Sequence, residues 1–219
     1  MYLDRKDIER FRGIFNENGA GKSLEQFLEE YDPKAYDNPS NTVDTIVFGT
    51  VGGEIRSVML IFRGNHPCIG MPALPGGFVE YKENLKDAAL RELREETGID
   101  NIDAVQLKTY GDWDRDPRTR IITTVFASVV EKDKIDFAAG DDAANADWFD
   151  IDLKEKEGGR YDLLLTGNKL RAAFSAELVH EYTEIGAVRD HKFRQLSSQM
   201  AADHACLLVE SYLRMTGGI

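Results

Sequence analysis

The sequence predicts an α/β fold in which a mixed β-sheet lies between helices as an α/β/α sandwich. Strand-like apolar segments occupy 43–49, 54–63 and 120–130. A helix-like segment over 85–97 lies between them in the chain, and a second amphipathic segment over 198–215 follows them. Strands with one helix between them and another at the end bury their apolar faces best as layers.

The domain organisation predicted from the sequence has two parts. Residues 2–31 favour helix, with a break at 16–21, and a Pro/Asn-rich linker follows over 32–42. We therefore expect an N-terminal helical extension with its linker over 1–40 and a single α/β domain over 41–219.

The rest of the domain is predicted to contain shorter elements. Further strands and the segments between them are expected at 77–80 (strand), 104–110 (strand), 112–119 (polar loop), 134–144 (connection) and 145–149 (strand). A β-hairpin insertion is predicted at about 158–190, with its turn at 166–168. The sequence assigns no function to this hairpin.

Composition and charge narrow the functional class. The chain has 219 residues, 42% of them hydrophobic and 30% charged, which suits a soluble globular protein. Its net charge of −12 argues against a nucleic-acid-coating surface. No apolar run reaches membrane-spanning length, and the N-terminus lacks the apolar core of a signal peptide. Cys68 and Cys206 are expected to be reduced, buried thiols, so we expect a cytoplasmic protein without membrane or nucleic-acid partners.

The segment GAGKS at 19–23 invites a phosphate-loop interpretation, which the spacing does not support. That motif requires glycine at position 16, where this chain has Asn16, and a buried strand before it. Ser23 is better explained as the N-cap of a following helix.

The helix predicted over 85–97 has signals at both ends. Asn84 can act as its N-cap, and Gly98 lies where a left-handed C-terminal residue is expected. Leu85, Ala89 and Leu93 form its apolar stripe.

Three carboxylates share another face of this helix: Glu92, Glu95 and Glu96 lie at i, i+3 and i+4. Carboxylates this close repel one another, and Arg91 can relieve only part of the repulsion. A solvated acidic face is the alternative explanation. The rigid turn over 74–77 that precedes the helix favours a bound hard cation such as Mg²⁺, which prefers oxygen ligands.

These residues resemble a known family. The spacing Gly77, five residues, Glu83, seven residues, then RELREETGI over 91–99 is similar to the Nudix hydrolase box, G-x5-E-x7-R-E-U-x-E-E-x-G-U with U apolar, without a departure. The resemblance covers about 41–152 and the final helix, and it implies the Nudix fold with the box at the active site.

The outer segments look like the branch that includes ADP-ribose pyrophosphatases, although Pro72 stands where that branch often has an aromatic residue. The resemblance implies an enzyme that hydrolyses a nucleoside diphosphate derivative, ADP-ribose first, and a homodimer. NADH, FAD or a dinucleoside polyphosphate as substrate is one alternative. A non-catalytic, ADP-ribose-sensing transcriptional regulator is another.

The box also implies roles for particular residues. Glu92, Glu95, Glu96 and the backbone carbonyl of Gly77 would hold Mg²⁺, with Mn²⁺ as the alternative ion. Glu96 would be either a ligand or the general base. The catalytic set is therefore these three glutamates with Arg91, which would orient a glutamate or contact phosphate. Glu83 would tie the loop before the helix or act as an outer ligand.

Substrate contacts are expected from residues around the box. The candidates are Arg63, Gly76, Gly77, Arg118 and Arg120. For Arg118 and Arg120, the alternative is that they only balance the charge of the aspartates in their own loop. Trp113 is assigned either to stacking on a base or to packing. His180, His191 and His204 lack metal-ligand spacing and are assigned to structure, and Asp203–His204 to local hydrogen bonding.

Overall fold

The computed structural model describes residues 5–135 and 146–219, so most of the connection predicted at 134–144 lies outside the described residues. The chain divides into two compact units, Met1–Asn38 and Pro39–Ile219.

The first unit contains less helix than the sequence suggests. Its elements are α1 (Arg5–Ile8), a 3-10 turn (Glu9–Phe11) and α2 (Leu24–Glu30). Helix α2 begins at a capping box in which Ser23 and Gln26 exchange side-chain and backbone hydrogen bonds. The predicted helix is wrong over 12–15 because Gly13 disfavours helix and the chain turns beyond it.

The turn before α2 has a local cause. The side chain of Asn18 accepts hydrogen bonds from the backbone N–H groups of Ala20 (2.9 Å) and Lys22 (3.2 Å). An asparagine that bonds its own neighbours in this way competes with helix formation.

The second unit is built on one mixed sheet of ten strands. The strands are β1 (Ser40–Val51), β2 (Glu54–Phe62), β3 (Pro72–Ala73), β4 (Gly76–Phe78), β5 (Val105–Tyr110), β6 (Ile121–Glu131), β7 (Ala146–Lys156), β8 (Arg160–Gly167), β9 (Ala173–Ile185) and β10 (Val188–Ser198). Their order is β10-β9-β8-β7-β2-β1-β6-β5, with β3 paired to β2 and β4 to β1. β1 and β6 pair in parallel, and the other paired strands are antiparallel.

Two helices cover opposite faces of this sheet, α3 (Leu85–Thr97) and α4 (His204–Thr216). Along β1, Ile46 and Phe48 belong to the apolar cluster that contains the buried residues of α4. The alternate residue Val43 clusters with Ala88 and Ala89 of α3. Because successive strand residues face opposite sides of a sheet, the sheet lies between the helices, and the predicted α/β/α sandwich is confirmed.

The C-terminal strands differ from the prediction. The strand predicted at 145–149 continues to Lys156, and the predicted hairpin is present as β8–β9. β7 to β10 extend the main sheet as an antiparallel meander that includes this hairpin. Leu163 and Leu178 belong to the same apolar cluster as α4, so these strands share the main core.

Helix α4 starts later than predicted, since Ser198 ends β10 and the helix begins at His204. Cys206 is buried on this helix, whereas Cys68 is only partly buried, which corrects the prediction for that thiol; both are free. In the two described ranges, no helix has the length and apolarity needed to cross a membrane.

Candidate active site

A cavity of about 290 Å³ opens where β1, β2 and β4 approach the start of α4. Its charged and titratable lining residues are Asp44, Arg63, Cys68, Glu96, Arg115, Asp116, Arg118 and His204. Gly76, Gly77 and Phe78 of β4 contribute to the same wall. The cavity therefore brings a predicted acidic residue together with two of the predicted arginines.

Helix α3 forms as its end signals predict. Asn84 is the N-cap and Gly98 is the left-handed C-cap, with φ of 72°. The side chain of Asn84 does not cap the helix; it donates to the Asp87 carboxylate at 2.9 Å. Ala89 and Leu93 are buried in the core, and Glu92 and Glu96 lie against β4.

Gly77 allows the carboxylate of Glu92 to lie directly against the backbone of β4. A Cβ atom added at Gly77 would lie 2.4 Å from the carboxyl carbon of Glu92. No other residue type leaves room for this approach. The Gly77 backbone and the Glu92 carboxylate thus form one close-packed group.

Arg91 holds the loop before α3 and two of the glutamates. Its guanidinium donates to both carboxylate oxygens of Glu83 at 2.8 Å each. It also donates to Glu92 at 2.7 Å and to Glu95 at 3.2 Å. The Arg91 hydrogen bonds lower the pKa of Glu83 to about 2, so this carboxylate stays charged at neutral pH.

Glu96 lies on the cavity wall with its carboxylate held by the loop. The backbone N–H of Gly76 donates to its Oε2 at 2.8 Å. Burial raises the pKa of Glu96 to about 7; this hydrogen bond opposes the rise, and repulsion from Glu92 and Asp44 adds to it. A carboxylate with this pKa suits proton transfer near neutral pH.

Glu95 is placed differently from the other two glutamates. Its side chain is 53% exposed, against 16% for Glu92. Both contact Arg91, and of the three glutamates it is Glu96 that lines the cavity. Within the described ranges, no three acidic, histidine or cysteine side chains are gathered closely enough to form a complete metal site. The structure brings Glu92 and Glu96 to β4 and leaves Glu95 at the outer edge.

The predicted arginines separate into three situations. Arg63 lines the cavity and donates from Nε to the carbonyl of Pro67 at 2.7 Å. Arg118 also lines it, bound to both oxygens of Asp116 at 3.0 and 2.9 Å, with its guanidinium carbon 5.4 Å from the centre of the Phe78 ring. Arg120 is not brought to the cavity.

The position of Arg120 has a simple geometric reason. Ile121, the next residue, lines the cavity at the start of β6. Adjacent residues of extended chain point to opposite sides, so Arg120 points away and is exposed. The structure does not place Arg120 on this cavity wall, and a substrate contact for it stays a prediction. Trp113 of the same loop is 79% exposed and does not line the cavity either.

Several cavity residues were missed or misassigned from the sequence. Asp44 is buried and accepts a 2.6 Å hydrogen bond from Thr123. Its one signal was a charged residue inside an apolar strand. Arg115 binds Asp203 through both oxygens, at 3.0 and 2.8 Å, and the backbone N–H of Leu74 donates to Nδ1 of His204 at 2.9 Å. The expectation of merely local hydrogen bonding for Asp203–His204 is thus wrong.

Comparisons with known proteins identify the family of this chain. A family model described as the NUDIX domain matches residues 39–164, more than half of the chain. The chain belongs to the Nudix family. The matched region includes the whole Gly77–Ile99 box. The Nudix fold accounts for the α/β/α sandwich described above.

Two curated relatives resemble this Nudix pyrophosphohydrolase. An ADP-ribose pyrophosphatase of Methanocaldococcus jannaschii is 37% identical over 142 residues, which is 63% of this chain and 80% of the relative. An ADPR responsive transcriptional repressor, NtrR, of Acinetobacter baylyi is 37% identical over 110 residues, covering 49% of this chain and 44% of the repressor.

A solved structure supports the fold over nearly the whole chain. A MutT/nudix family protein from Enterococcus faecalis superposes with a TM-score of 0.66 at 27% identity, covering 90% of this chain and 70% of that one. This coverage exceeds the part of the chain that the family model matches, which ends at residue 164.

Proposed function

We propose that this Nudix protein hydrolyses ADP-ribose to AMP and ribose 5-phosphate in a reaction that depends on Mg²⁺, with Mn²⁺ as an alternative ion. The observation that carries the proposal is the close packing of the Glu92 carboxylate on Gly77, with Glu96 held by Gly76 beside a cavity that contains Arg63. The substrate is suggested by the Methanocaldococcus jannaschii relative.

The donor set at β4 and α3 fits a hard divalent cation. It consists of the carboxylates of Glu92, Glu95 and Glu96 and the backbone carbonyl of Gly77, which are all oxygen ligands. Burial raises the pKa of Glu96 to about 7, and repulsion from Glu92 and Asp44 adds to the rise. An incomplete protein shell suits Mg²⁺, which usually keeps waters and shares its shell with substrate phosphates. When bound, the ion would neutralise charge that develops on the phosphoryl oxygens.

The chain's own residues would then bind and orient the substrate. Arg63 would pair with a diphosphate oxygen through the terminal nitrogens of its guanidinium, since its Nε is engaged by Pro67. Arg91 would keep Glu92 in place, because the Arg91 guanidinium, itself held by Glu83, donates a hydrogen bond to the Glu92 carboxylate. Glu96 would be either a ligand or the base that takes a proton from the attacking water.

The remaining substrate contacts are proposed from the cavity wall. Gly76 and Gly77 would approach the diphosphate closely because they carry no side chain. Arg118 would contact the ribose or a phosphate from a position fixed by Asp116 and Phe78.

The test is release of AMP from ADP-ribose with Mg²⁺, with Mn²⁺ and with EDTA. We expect Glu92→Gln, Glu95→Gln and Glu96→Gln to lower kcat, most strongly for the two that lie against β4. Glu157→Gln is the matched control, since this exposed residue lies in the turn between β7 and β8. Wild-type turnover in all three variants would refute the metal-site assignment, and a screen with NADH, FAD and dinucleoside polyphosphates would reveal a different substrate.

A second candidate function is ADP-ribose-dependent regulation of transcription, which the similarity to the Acinetobacter baylyi repressor favours. The net charge of −12 disfavours it, because DNA binding requires a basic surface. An electrophoretic mobility assay with and without ADP-ribose separates the two functions. Tight DNA binding that ADP-ribose releases, without hydrolysis, would support the regulator.

We further propose that the protein is a cytoplasmic homodimer. The first unit exposes Ile14 and Phe15 by 96% and 85%, and an association of copies would cover such apolar side chains. Two free thiols suit a reducing compartment. Light scattering that gives the mass of a monomer at micromolar concentration would contradict the dimer.

A further inference from the structure

The segment over 201–204, which leads into α4, is hydrogen-bonded to the β5–β6 loop, to β3 and to Leu74. Asp203 binds Arg115 of the β5–β6 loop, and the backbone N–H of Ala201 donates to the carbonyl of Pro72 at 2.9 Å. His204 accepts from Leu74. This segment lies beyond residue 164, outside the part of the chain that the family model matches.

The imidazole of His204 is held through Nδ1, and its Nε2 lies near a carboxylate. The residue is only 8% exposed, and its Nδ1 accepts the Leu74 N–H at 2.9 Å. An accepting Nδ1 carries no hydrogen, so a neutral ring carries its hydrogen on Nε2. This Nε2 faces Oδ1 of Asp44 at 3.8 Å, and the other oxygen of Asp44 is held by Thr123.

Leu74, which His204 holds, lies shortly before Gly77 in the chain, and the carbonyl of Gly77 is a proposed metal ligand. Leu74 is followed by Pro75, whose carbonyl accepts the Thr45 N–H at 2.8 Å. Gly76 comes next, with its N–H on Glu96 at 2.8 Å, and then Gly77 against Glu92. Because only Pro75 separates Leu74 from Gly76, a shift of the Leu74 backbone would move the atoms that face both glutamates.

We propose that His204 is a positioning residue for hydrolysis: by accepting the Leu74 N–H, it sets where the backbone of Gly76 and Gly77 lies relative to Glu96 and Glu92. It acts through Leu74 and need not touch the substrate. The inference rests on the proposed function, since the reaction that it serves is the hydrolysis of ADP-ribose. It gives the C-terminal helix a part in a site that the box alone does not specify.

The two nitrogens of His204 can be tested separately. In His204→Asn, the side-chain oxygen takes the place of Nδ1 and still accepts from Leu74. In His204→Gln, the amide nitrogen takes the place of Nε2 near Asp44, and the acceptor is lost. His204→Leu removes both. His180→Gln is the matched control, because His180 lies on β9 outside the cavity lining and its bond is to His191.

We expect kcat to stay within about threefold of wild type in His204→Asn and to fall by about 10- to 100-fold in His204→Gln and His204→Leu, the range for small misplacements of a site. KM for ADP-ribose should change little in all three. Wild-type kcat in His204→Leu would overturn the proposal. A loss in His204→Asn as large as in His204→Leu would also overturn it, because the contact with Asp44 would then be the important one.

A second measurement is independent of turnover and of the substrate. Hydrogen exchange of the Leu74 amide, followed by NMR, should be slow in wild type and His204→Asn and fast in His204→Gln and His204→Leu, with the rest of the spectrum retained. If the wild-type protein does not hydrolyse ADP-ribose, the proposed function fails, and this exchange still decides whether His204 holds the loop. Unchanged protection of Leu74 in His204→Leu would contradict that role.

Discussion

The backbone N–H of Gly76 and Oε2 of Glu96 are joined by a 2.8 Å hydrogen bond between β4 and α3. The neighbouring residue Gly77 lies against the carboxylate of Glu92. Each of these two successive glycines therefore contacts one glutamate, and the four residues connect β4 to α3.

Gly77→Ala should reduce activity more than stability. The added Cβ would lie 2.4 Å from the carboxyl carbon of Glu92, which is the free end of a flexible side chain and can move away. We expect kcat for ADP-ribose hydrolysis to fall by about 10- to 100-fold as Glu92 is displaced. The matched control is Gly111→Ala, whose Cβ would have its nearest contact at 3.8 Å. Equal kcat values for the two variants would contradict the prediction.

Gly76→Ala should reduce stability more than activity. Its Cβ would lie 2.2 Å from the carbonyl oxygen of Val43, and neither this backbone nor that of Asp44 can move without disturbing the pairing of β1 with β4. We expect the free energy of unfolding to fall by about 1–3 kcal/mol, the usual cost of overpacking. Urea unfolding measures it, and a smaller loss than in Gly77→Ala would show that β4 is more adaptable than we infer.

Arg91→Lys should lower kcat although the positive charge is kept. Arg91 donates to Glu83 with two nitrogens and to Glu92, Glu95 and the Phe78 carbonyl with the same fork. A single ammonium cannot reproduce this planar arrangement. We expect a kcat loss of about tenfold or more, with a reduced Tm. Arg56→Lys, at an exposed position, is the control. Full activity in Arg91→Lys would exclude an orienting role for Arg91.

Glu83→Gln should remove a contribution to stability that depends on pH. The folded-state pKa of Glu83 is depressed from 4.5 to about 2 by the hydrogen bonds of Arg91, so the charged form is favoured by folding. This contribution is fully present above pH 4.5 and is lost as the pH falls toward 2. The difference in unfolding free energy between wild type and variant should be constant near neutral pH and shrink below about 4.5. A gap that widens with acidification would contradict the prediction.

The parts of the fold that the sequence predicts well are those with local causes. Helix α3 spans Leu85–Thr97 as expected because the cap position at Asn84, the left-handed Gly98 and the apolar stripe are all properties of neighbouring residues. The parts that it misses depend on distant contacts. β8 to β10 extend the main sheet, and Leu163 and Leu178 share one apolar cluster with the buried residues of α4, which no local pattern specifies.

The same distinction applies to the site. The glutamates and glycines of the box could be named from their resemblance to the Nudix box. The contacts of His204 with Leu74 and of Asp203 with Arg115 join residues 130 and 88 positions apart, so they emerge only when α4 packs on the sheet. Arg120 was assigned to substrate binding by its proximity in sequence to Arg118, and strand alternation directs it elsewhere.

The most direct test of the account is a crystal of the protein soaked with Mn²⁺ and a non-hydrolysable ADP-ribose analogue, examined for anomalous scattering. We predict a peak within coordination distance of the Glu92 and Glu96 carboxylates and the Gly77 carbonyl, with the analogue's diphosphate completing the shell. An occupied analogue without a peak there, and with the two carboxylates pointing apart, would contradict it.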